Sequence, residues 1–111
     1  MAQKYVIVHA NGGRIEIGDG QGDKPELEFL QQAVGGWIER VYVKELDGTG
    51  IDCFCNEEGK LQGLPVNFPA TRLVEPYDTL VGDVVFVASD DEGESRWLTD
   101  EQVKKVQEVL G

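Results

Sequence analysis

Val84-Val85-Phe86-Val87 is an uninterrupted apolar run within residues 81–88. β-branched and aromatic residues favour a strand, and a run without polar residues at alternate positions indicates a strand that is buried on both faces. We therefore expect residues 81–88 to form the most buried strand of a sheet. Gly82, near the start of the segment, is expected to mark a bulge or a close approach of two backbones.

Segments that precede this run also have strand character and are separated by turns. Residues 4–10 are rich in β-branched side chains, and residues 14–17 alternate polar with apolar, so the Asn11-Gly12-Gly13 sequence between them predicts a hairpin turn. A second pair of strands is expected around a turn at residues 47–50. These two strands are predicted at residues 37–43 and 51–55.

A helix is predicted between the two strand pairs. Pro25 suits a first helical turn, and Asp23 or Lys24 is the candidate N-cap. Apolar residues then recur three and four apart up to Val34, which gives the helix one apolar face. The Gly35-Gly36 pair predicts a left-handed C-cap.

Two further helix starts carry capping residues. Thr99 and Gln102, three residues later, have the spacing of a capping box, so a C-terminal helix is expected to begin there. A short helix is expected after Asn67, because asparagine is a good N-cap and Pro69 is tolerated in a first turn.

Two polar segments are predicted to be loops. Residues 18–22 have glycine at every second position but lack the Gly-Lys-Ser/Thr sequence of a P-loop, so we interpret them as a flexible connection rather than a phosphate site. Residues 89–95 are strongly acidic and are predicted to be a surface loop.

The order of these elements predicts an α+β fold. We expect a single domain over residues 1–111. It should contain a mostly antiparallel sheet of about five strands, two main helices and one short helix, with the helices packed on one face of the sheet.

The charge balance restricts the kinds of partner. Ten Lys and Arg stand against 21 Asp and Glu, which gives a net charge of −11. This charge argues against general nucleic-acid binding, which needs a basic surface, and suits a basic protein partner or imitation of DNA phosphates. No apolar run has membrane-spanning length, and residues 1–10 lack the features of a signal peptide, so we expect a cytoplasmic protein without membrane contact.

The sequence offers few residues for catalysis, metal binding or a cofactor. His9 is the single histidine, and Cys53 and Cys55 are expected to be buried on one face of a strand, so neither a metal nor another cofactor is predicted. An enzyme would have to use carboxylates such as Glu57 and Glu58 beside Lys60, or the acidic residues at 90–94. Exposed carboxylate pairs are usually only solvated, so we predict a protein that is not an enzyme.

The most promising binding segment is residues 56–67, Asn-Glu-Glu-Gly-Lys-Leu-Gln-Gly-Leu-Pro-Val-Asn. Its polar residues indicate a loop, and amide and cationic side chains are suited to hold a phosphate or a nucleobase. The alternative is a structural turn in which both asparagines cap backbone groups. Trp37 and Tyr42 are suited to stacking if exposed, but aromatic side chains are usually in the core, and we expect that placement. The candidate ligand-binding residues are Asn56, Glu58, Lys60, Asn67 and Arg72.

The same loop carries a family resemblance. The motif at residues 56–67 is followed by Ala-Thr-Arg-Leu at 70–73 and Asp-Thr-Leu-Val-Gly-Asp at 78–83, and Leu-Thr-Asp-Glu-Gln at 98–102 also fits. The chain resembles a family of small phage, plasmid and bacterial proteins known as domain of unknown function 3846. The resemblance implies an accessory factor acting against host defence, in the host cytoplasm if the protein is encoded by a phage.

Two functional hypotheses follow, and both are binding functions. In the first, the protein sequesters a nucleotide-like small molecule, with a homo-oligomer left open, and uses the loop together with Lys60 and Arg72. In the second, it is an acidic inhibitor or DNA mimic that acts on a host defence protein, as the net charge suggests.

Overall fold

The computed structural model describes residues 2–111. Its strands are β1 (Lys4–Val8), β2 (Ile15–Asp19), β3 (Ile38–Val41), β4 (Ile51–Asn56), β5 (Val84–Ser89) and β6 (Ser95–Arg96). Its helices are α1 (Leu27–Val34), α2 (Phe68–Thr71) and α3 (Asp100–Leu110), and a short 3-10 turn lies at Lys44–Leu46.

The strands form one sheet in the order β2-β1-β5-β4-β3, and β6 pairs with the end of β5. Every pairing in the sheet is antiparallel. The predicted α+β fold with a mostly antiparallel sheet is therefore confirmed. The apolar run of β5 lies at the centre of the sheet, and its four residues from Val84 to Val87 are fully buried, as expected.

The helices cover both faces of the sheet, so the prediction that they pack on one face is wrong. Val84 and Phe86 face a core that includes residues of α2 and α3, such as Ala70 and Val106. Val85 and its neighbour Val87 face the opposite core, which α1 covers. The physical reason is the alternation of side chains along a strand, because a central strand that is apolar at every position needs cover on both sides.

The ends of the helices follow the capping residues, with one exception. Thr99 and Gln102 form the predicted capping box of α3. The left-handed C-cap of α1 is Gly35, which has a φ of 79°. The N-cap of α1 is Glu26 rather than Asp23 or Lys24, and it makes no side-chain hydrogen bond.

Gly18 and Gly20 pack against aromatic rings, contrary to the interpretation of residues 18–22 as a flexible connection. Gly18 belongs to β2. A Cβ atom on Gly20 would overlap the indole ring of Trp97, and Trp97 Nε1 donates to the carbonyl oxygen of Gly22 at 3.0 Å. Phe29 packs edge-on to the same indole with a centroid distance of 5.2 Å. Gly18 and Gly20 are thus needed for the close approach of the rings of Tyr5 and Trp97.

The acidic segment is the turn of the β5–β6 hairpin. Asp90 Oδ1 accepts backbone N–H groups of Glu92 and Glu94, each at 2.9 Å. Hydrogen bonding from the Glu94 backbone is the main cause that lowers the pKa of Asp90. The predicted surface loop is thus followed by a short strand, β6, which begins at Ser95 and which the sequence pattern did not indicate.

Gly82 makes the predicted close backbone approach. Its φ is 72°, and a Cβ atom would lie 2.8 Å from Leu64 Cδ1. Its N–H donates to the carbonyl oxygen of Pro65 at 2.8 Å, which joins the end of the 56–67 loop to the segment just before β5.

Candidate functional site

Asn56, at the end of β4, holds the 56–67 loop against α1. Its Oδ1 atom accepts the backbone N–H of Glu58 at 2.8 Å. Its Nδ2 atom donates to the carbonyl oxygen of Val34 and to Gln62 Oε1, each at 3.3 Å. The buried amide therefore joins the first turn of the loop to the C-terminal end of α1.

Asn67 closes the other end of the loop and is completely buried. Its Oδ1 atom accepts the N–H of Ala70 at 3.2 Å, which caps α2 as predicted. Its Nδ2 atom donates to the carbonyl oxygens of Val8 at 2.8 Å and Gly82 at 2.9 Å. For both asparagines the structure has the capping arrangement that the sequence left open as an alternative.

Lys60 and Glu58 lie on the exposed side of the loop. Lys60 Nζ is 2.6 Å from Asp78 Oδ1, and this hydrogen bond is the main cause that lowers the pKa of Asp78. Glu58 is exposed, and its carboxylate makes no ion pair within residues 2–111. Lys60 therefore pairs with Asp78, not with the neighbouring glutamates of the enzyme hypothesis.

Arg72, the remaining candidate, lies at a different place. Its Nη2 atom donates to the carbonyl oxygen of Leu110 at 2.9 Å, at the C-terminal end of α3. A small cavity of about 170 Å³ beside the loop is lined by Asn56 and Lys60 but not by Asn67 or Arg72. The structure thus brings Asn56, Glu58 and Lys60 together in the loop and gives Asn67 and Arg72 structural partners elsewhere.

Trp37 and Tyr42 are exposed, so the prediction that they lie in the core is wrong. Their exposed fractions are 63% and 68%. They flank β3, the last strand of the sheet, where an edge position leaves less of each side chain covered. The hydroxyl of Tyr42 donates to Asp47 Oδ2 at 2.5 Å, and this hydrogen bond is the main cause that raises the pKa of Tyr42.

A larger groove lies beside β3, and the sequence did not indicate it. It has a volume of about 510 Å³ and separates residues 39–42 from residues 73–78. We call it the β3 groove. Its apolar lining consists of Val41, Leu73 and Val74 with the thiol of Cys55. Tyr42 and Tyr77 lie at its margin, and Tyr77 is 93% exposed.

The margin of the β3 groove is predominantly acidic. Its carboxylates are Glu39, Glu45, Glu75 and Asp78, and its cations are Arg40 and Lys44. Arg40 is engaged by the buried carboxylate of Asp52, with Nη2 2.9 Å from Oδ1. Among the ion pairs within residues 2–111, none involves the three glutamates. The groove therefore carries unneutralised negative charge around an apolar floor.

The two cysteines are buried and free, as the sequence predicted. Burial, followed by the charge of Glu39, raises the pKa of Cys55 to about 11. Burial also raises the pKa of Cys53. The groove thiol is thus protonated and poorly nucleophilic at neutral pH.

His9 lies between two carboxylates and holds three strands together. Its Nε2 atom is 2.8 Å from Glu16 Oε1 on β2, and its Nδ1 atom is 3.0 Å from Asp83 Oδ2, just before β5. The second oxygen of Asp83 accepts the N–H of Ala10 at 3.0 Å. The hydrogen bond to His9 is the main cause that lowers the pKa of Glu16.

Residues 2–111 contain neither a cluster of metal ligands nor a helix that could cross a membrane. Within residues 2–111, no group of three His, Cys, Asp or Glu side chains has the arrangement of a metal site. No helix in this part of the chain combines the length and the apolar character that crossing a bilayer requires.

Comparison with known proteins agrees with the family resemblance of the loop motifs. The family model described as "Domain of unknown function (DUF3846)" matches residues 3–111. No curated protein and no solved structure gives a significant match. The match covers essentially the whole sequence, and the chain therefore belongs to the DUF3846 family.

Proposed function

We propose that this protein acts by binding a basic protein at the β3 groove, without catalysing a reaction. The observation that carries the proposal is an apolar floor beside three margin carboxylates, Glu39, Glu45 and Glu75, that have no ion-pair partner in residues 2–111. This combination is typical of a surface that takes an apolar side chain at its centre and cations around it.

The net charge of −11 supports the same partner. A strongly acidic surface attracts a basic protein over a distance of about 10 Å at moderate ionic strength, which accelerates association. The exposed rings of Tyr42 and Tyr77 add contact area and suit lysine or arginine side chains, because a cation is attracted to an aromatic face. Such binding corresponds to the hypothesis of an acidic inhibitor, with the β3 groove as the surface that meets the partner.

A nucleotide-like ligand is less well supported. A phosphate group needs cationic side chains or backbone N–H groups that are free to bind it. Lys60 is paired with Asp78, and Arg72 donates to the end of α3. The carboxylates of the β3 groove would also repel a phosphate. The nucleotide hypothesis remains the second candidate, and the counter-defence role remains a prediction from the family resemblance.

Affinity capture with matched variants tests the proposal. The groove variant carries Glu39→Gln, Glu45→Gln and Glu75→Gln. The control variant carries Asp91→Asn, Glu92→Gln and Glu108→Gln, which remove the same charge from exposed positions outside the groove. We expect the wild type and the control to capture the same basic protein from a lysate of the source organism, and the groove variant to lose it. Raised salt should weaken the capture.

Two outcomes would contradict the proposal. One is equal capture by the groove variant and the control. The other is a co-purifying mass of nucleotide size in native mass spectrometry that is lost on denaturation, because this result supports the small-molecule hypothesis.

A further inference from the structure

β3 leaves one of its edges unpaired. It is the last strand in the sheet order, and its neighbour is β4, with the register Ile38↔Asn56 to Val41↔Cys53. Within residues 2–111, no other strand pairs with β3. An edge strand presents a row of free N–H and C=O groups, which can pair with another chain.

The β3 groove adjoins the strand that carries this free edge. It is lined by the consecutive residues 39–42. Side chains alternate between the two faces of a strand, so a cavity lying over one face would be lined by every second residue. Lining by four residues in succession shows that the groove meets both faces of β3, and Cys55 on the neighbouring strand β4 places its floor on the face that carries the core of α2 and α3. Residues from 73 to 78 form the opposite wall of the groove, so a channel lies between them and β3.

The channel has distinct chemistry along the strand. Glu39 and Val41 are opposite Cys55 and Cys53 in the register, and therefore share the face that carries the core of α2 and α3. Leu73 and Val74 belong to the same core and line the channel beside Val41. An occupant thus meets apolar surface near Val41 and carboxylate near Glu39.

We propose that the partner binds as an extended basic segment that adds a strand to the free edge of β3. This inference rests on the proposed function and specifies how the same groove is used. Aliphatic side chains of the segment enter the floor at Val41 and Leu73, and lysine or arginine side chains meet Glu39, Glu45 and Glu75. Main-chain hydrogen bonds provide affinity, and alternate side chains provide specificity. β3 has four residues, which corresponds to roughly 13 Å of paired strand.

The edge at β2 is a natural comparison. It is the other end of the sheet order, so it also has one strand partner. Arg14, which precedes the strand, and the exposed side chains of Ile15 and Ile17 give this edge a different surface. Asp19 is already paired with Lys4. The other carboxylate of this strand, that of Glu16, is paired with His9. Charge complementarity therefore favours β3 for a basic strand.

The test uses a displayed random library of nine-residue peptides selected on the full chain. We expect enrichment of peptides in which Lys or Arg alternates with aliphatic residues. The best peptide is then synthesised in two forms, each with N-methyl groups on alternate backbone amides. In one form the methyl groups replace the N–H groups that would donate to β3, and this form should bind about tenfold more weakly. In the other form the methyl groups are on N–H groups that point away from β3, and it should bind nearly as well as the parent peptide.

The outcomes separate this inference from the proposed function. Loss of peptide binding in the groove variant but not in the control variant, together with equal effects of both methylation patterns, would overturn strand addition and leave the groove as the binding site. Equal peptide binding by the groove variant and the control would contradict the site itself. If no basic peptide were selected, the result would count against strand addition and against the binding of a basic protein at the groove.

Discussion

Lys60 Nζ lies 2.6 Å from Asp78 Oδ1, so the 56–67 loop is joined to the far wall of the β3 groove. The lysine that the sequence marked as a ligand-binding residue therefore neutralises one of the groove carboxylates. The two candidate sites are neighbours, and substitutions at Lys60 distinguish the two hypotheses.

Lys60→Ala should preserve or strengthen binding of a basic partner. The substitution removes a positive charge from the margin and leaves Asp78 free to meet a cation of the partner. Isothermal titration with the captured partner measures the dissociation constant, and Lys104→Ala on the exposed side of α3 is the control for the change in charge. A clear weakening by Lys60→Ala alone would instead support an anionic ligand at the loop.

Asn67→Ala should strongly destabilise the fold. The substitution removes the cap of α2 and leaves the carbonyl oxygens of Val8 and Gly82 without this donor in the interior. Each such loss costs about 1–3 kcal/mol, so we expect a decrease of at least about 2 kcal/mol in the free energy of unfolding. Urea denaturation measures it, with Gln32→Ala on exposed helix surface as the control. A decrease like that of the control would contradict the structural role.

Gly20→Ala should destabilise the protein by overpacking against Trp97. Inserting a methyl group into a close contact costs about 1–3 kcal/mol. The Trp37→Phe background leaves Trp97 as the fluorescent indole, so its emission reports on the displaced ring during urea unfolding. Gln21→Ala, at an exposed neighbouring position, is the control. Wild-type stability and emission for Gly20→Ala would be inconsistent with the packing.

The Glu16 interaction should make stability fall in acid. Hydrogen bonding from His9 holds the pKa of Glu16 below its usual value of 4.5 in the folded state. The contribution of this hydrogen bond to the free energy of unfolding is therefore complete above the pKa of Glu16 in the unfolded chain. It is lost as the pH falls through the lower pKa of the folded state. Urea unfolding from pH 7 to pH 2 should show a weaker pH dependence for Glu16→Gln than for the wild type, and Glu92→Gln should retain the wild-type profile. Identical profiles for all three would contradict the interaction.

The thiol of Cys55 should resist alkylation at neutral pH. Its pKa of about 11 leaves little thiolate at pH 7, and burial limits access. In the folded Cys53→Ala variant, the rate of iodoacetamide modification should rise about tenfold per pH unit above neutrality, because the thiolate fraction rises by that factor below the pKa. Rapid modification at pH 7, equal to that of the unfolded protein in urea, would contradict the burial of this residue.

Local patterns were sufficient to predict the fold class. The apolar run of β5, the hairpin glycines and the Thr99 capping box depend on neighbours in the sequence, and each formed as expected. The placement of α1 on the second face was missed, although the continuous apolar character of β5 already required cover on both sides.

The site was harder to predict because it depends on tertiary contacts. Asn56 and Asn67 have polar side chains that suit either a ligand or the backbone, and their partners Val34 and Val8 are distant in sequence. The β3 groove joins segments that only the fold brings together. Exposure of Tyr42 follows from the edge position of β3, which no local pattern specifies.

Hydrogen–deuterium exchange on the complex with the captured partner would show whether the partner binds at the β3 groove. We expect slower exchange at residues 39–42 and 73–78 on binding, with little change in the 56–67 loop or at β2. Protection confined to the 56–67 loop or to α3, with unchanged exchange along β3, would contradict binding at the β3 groove.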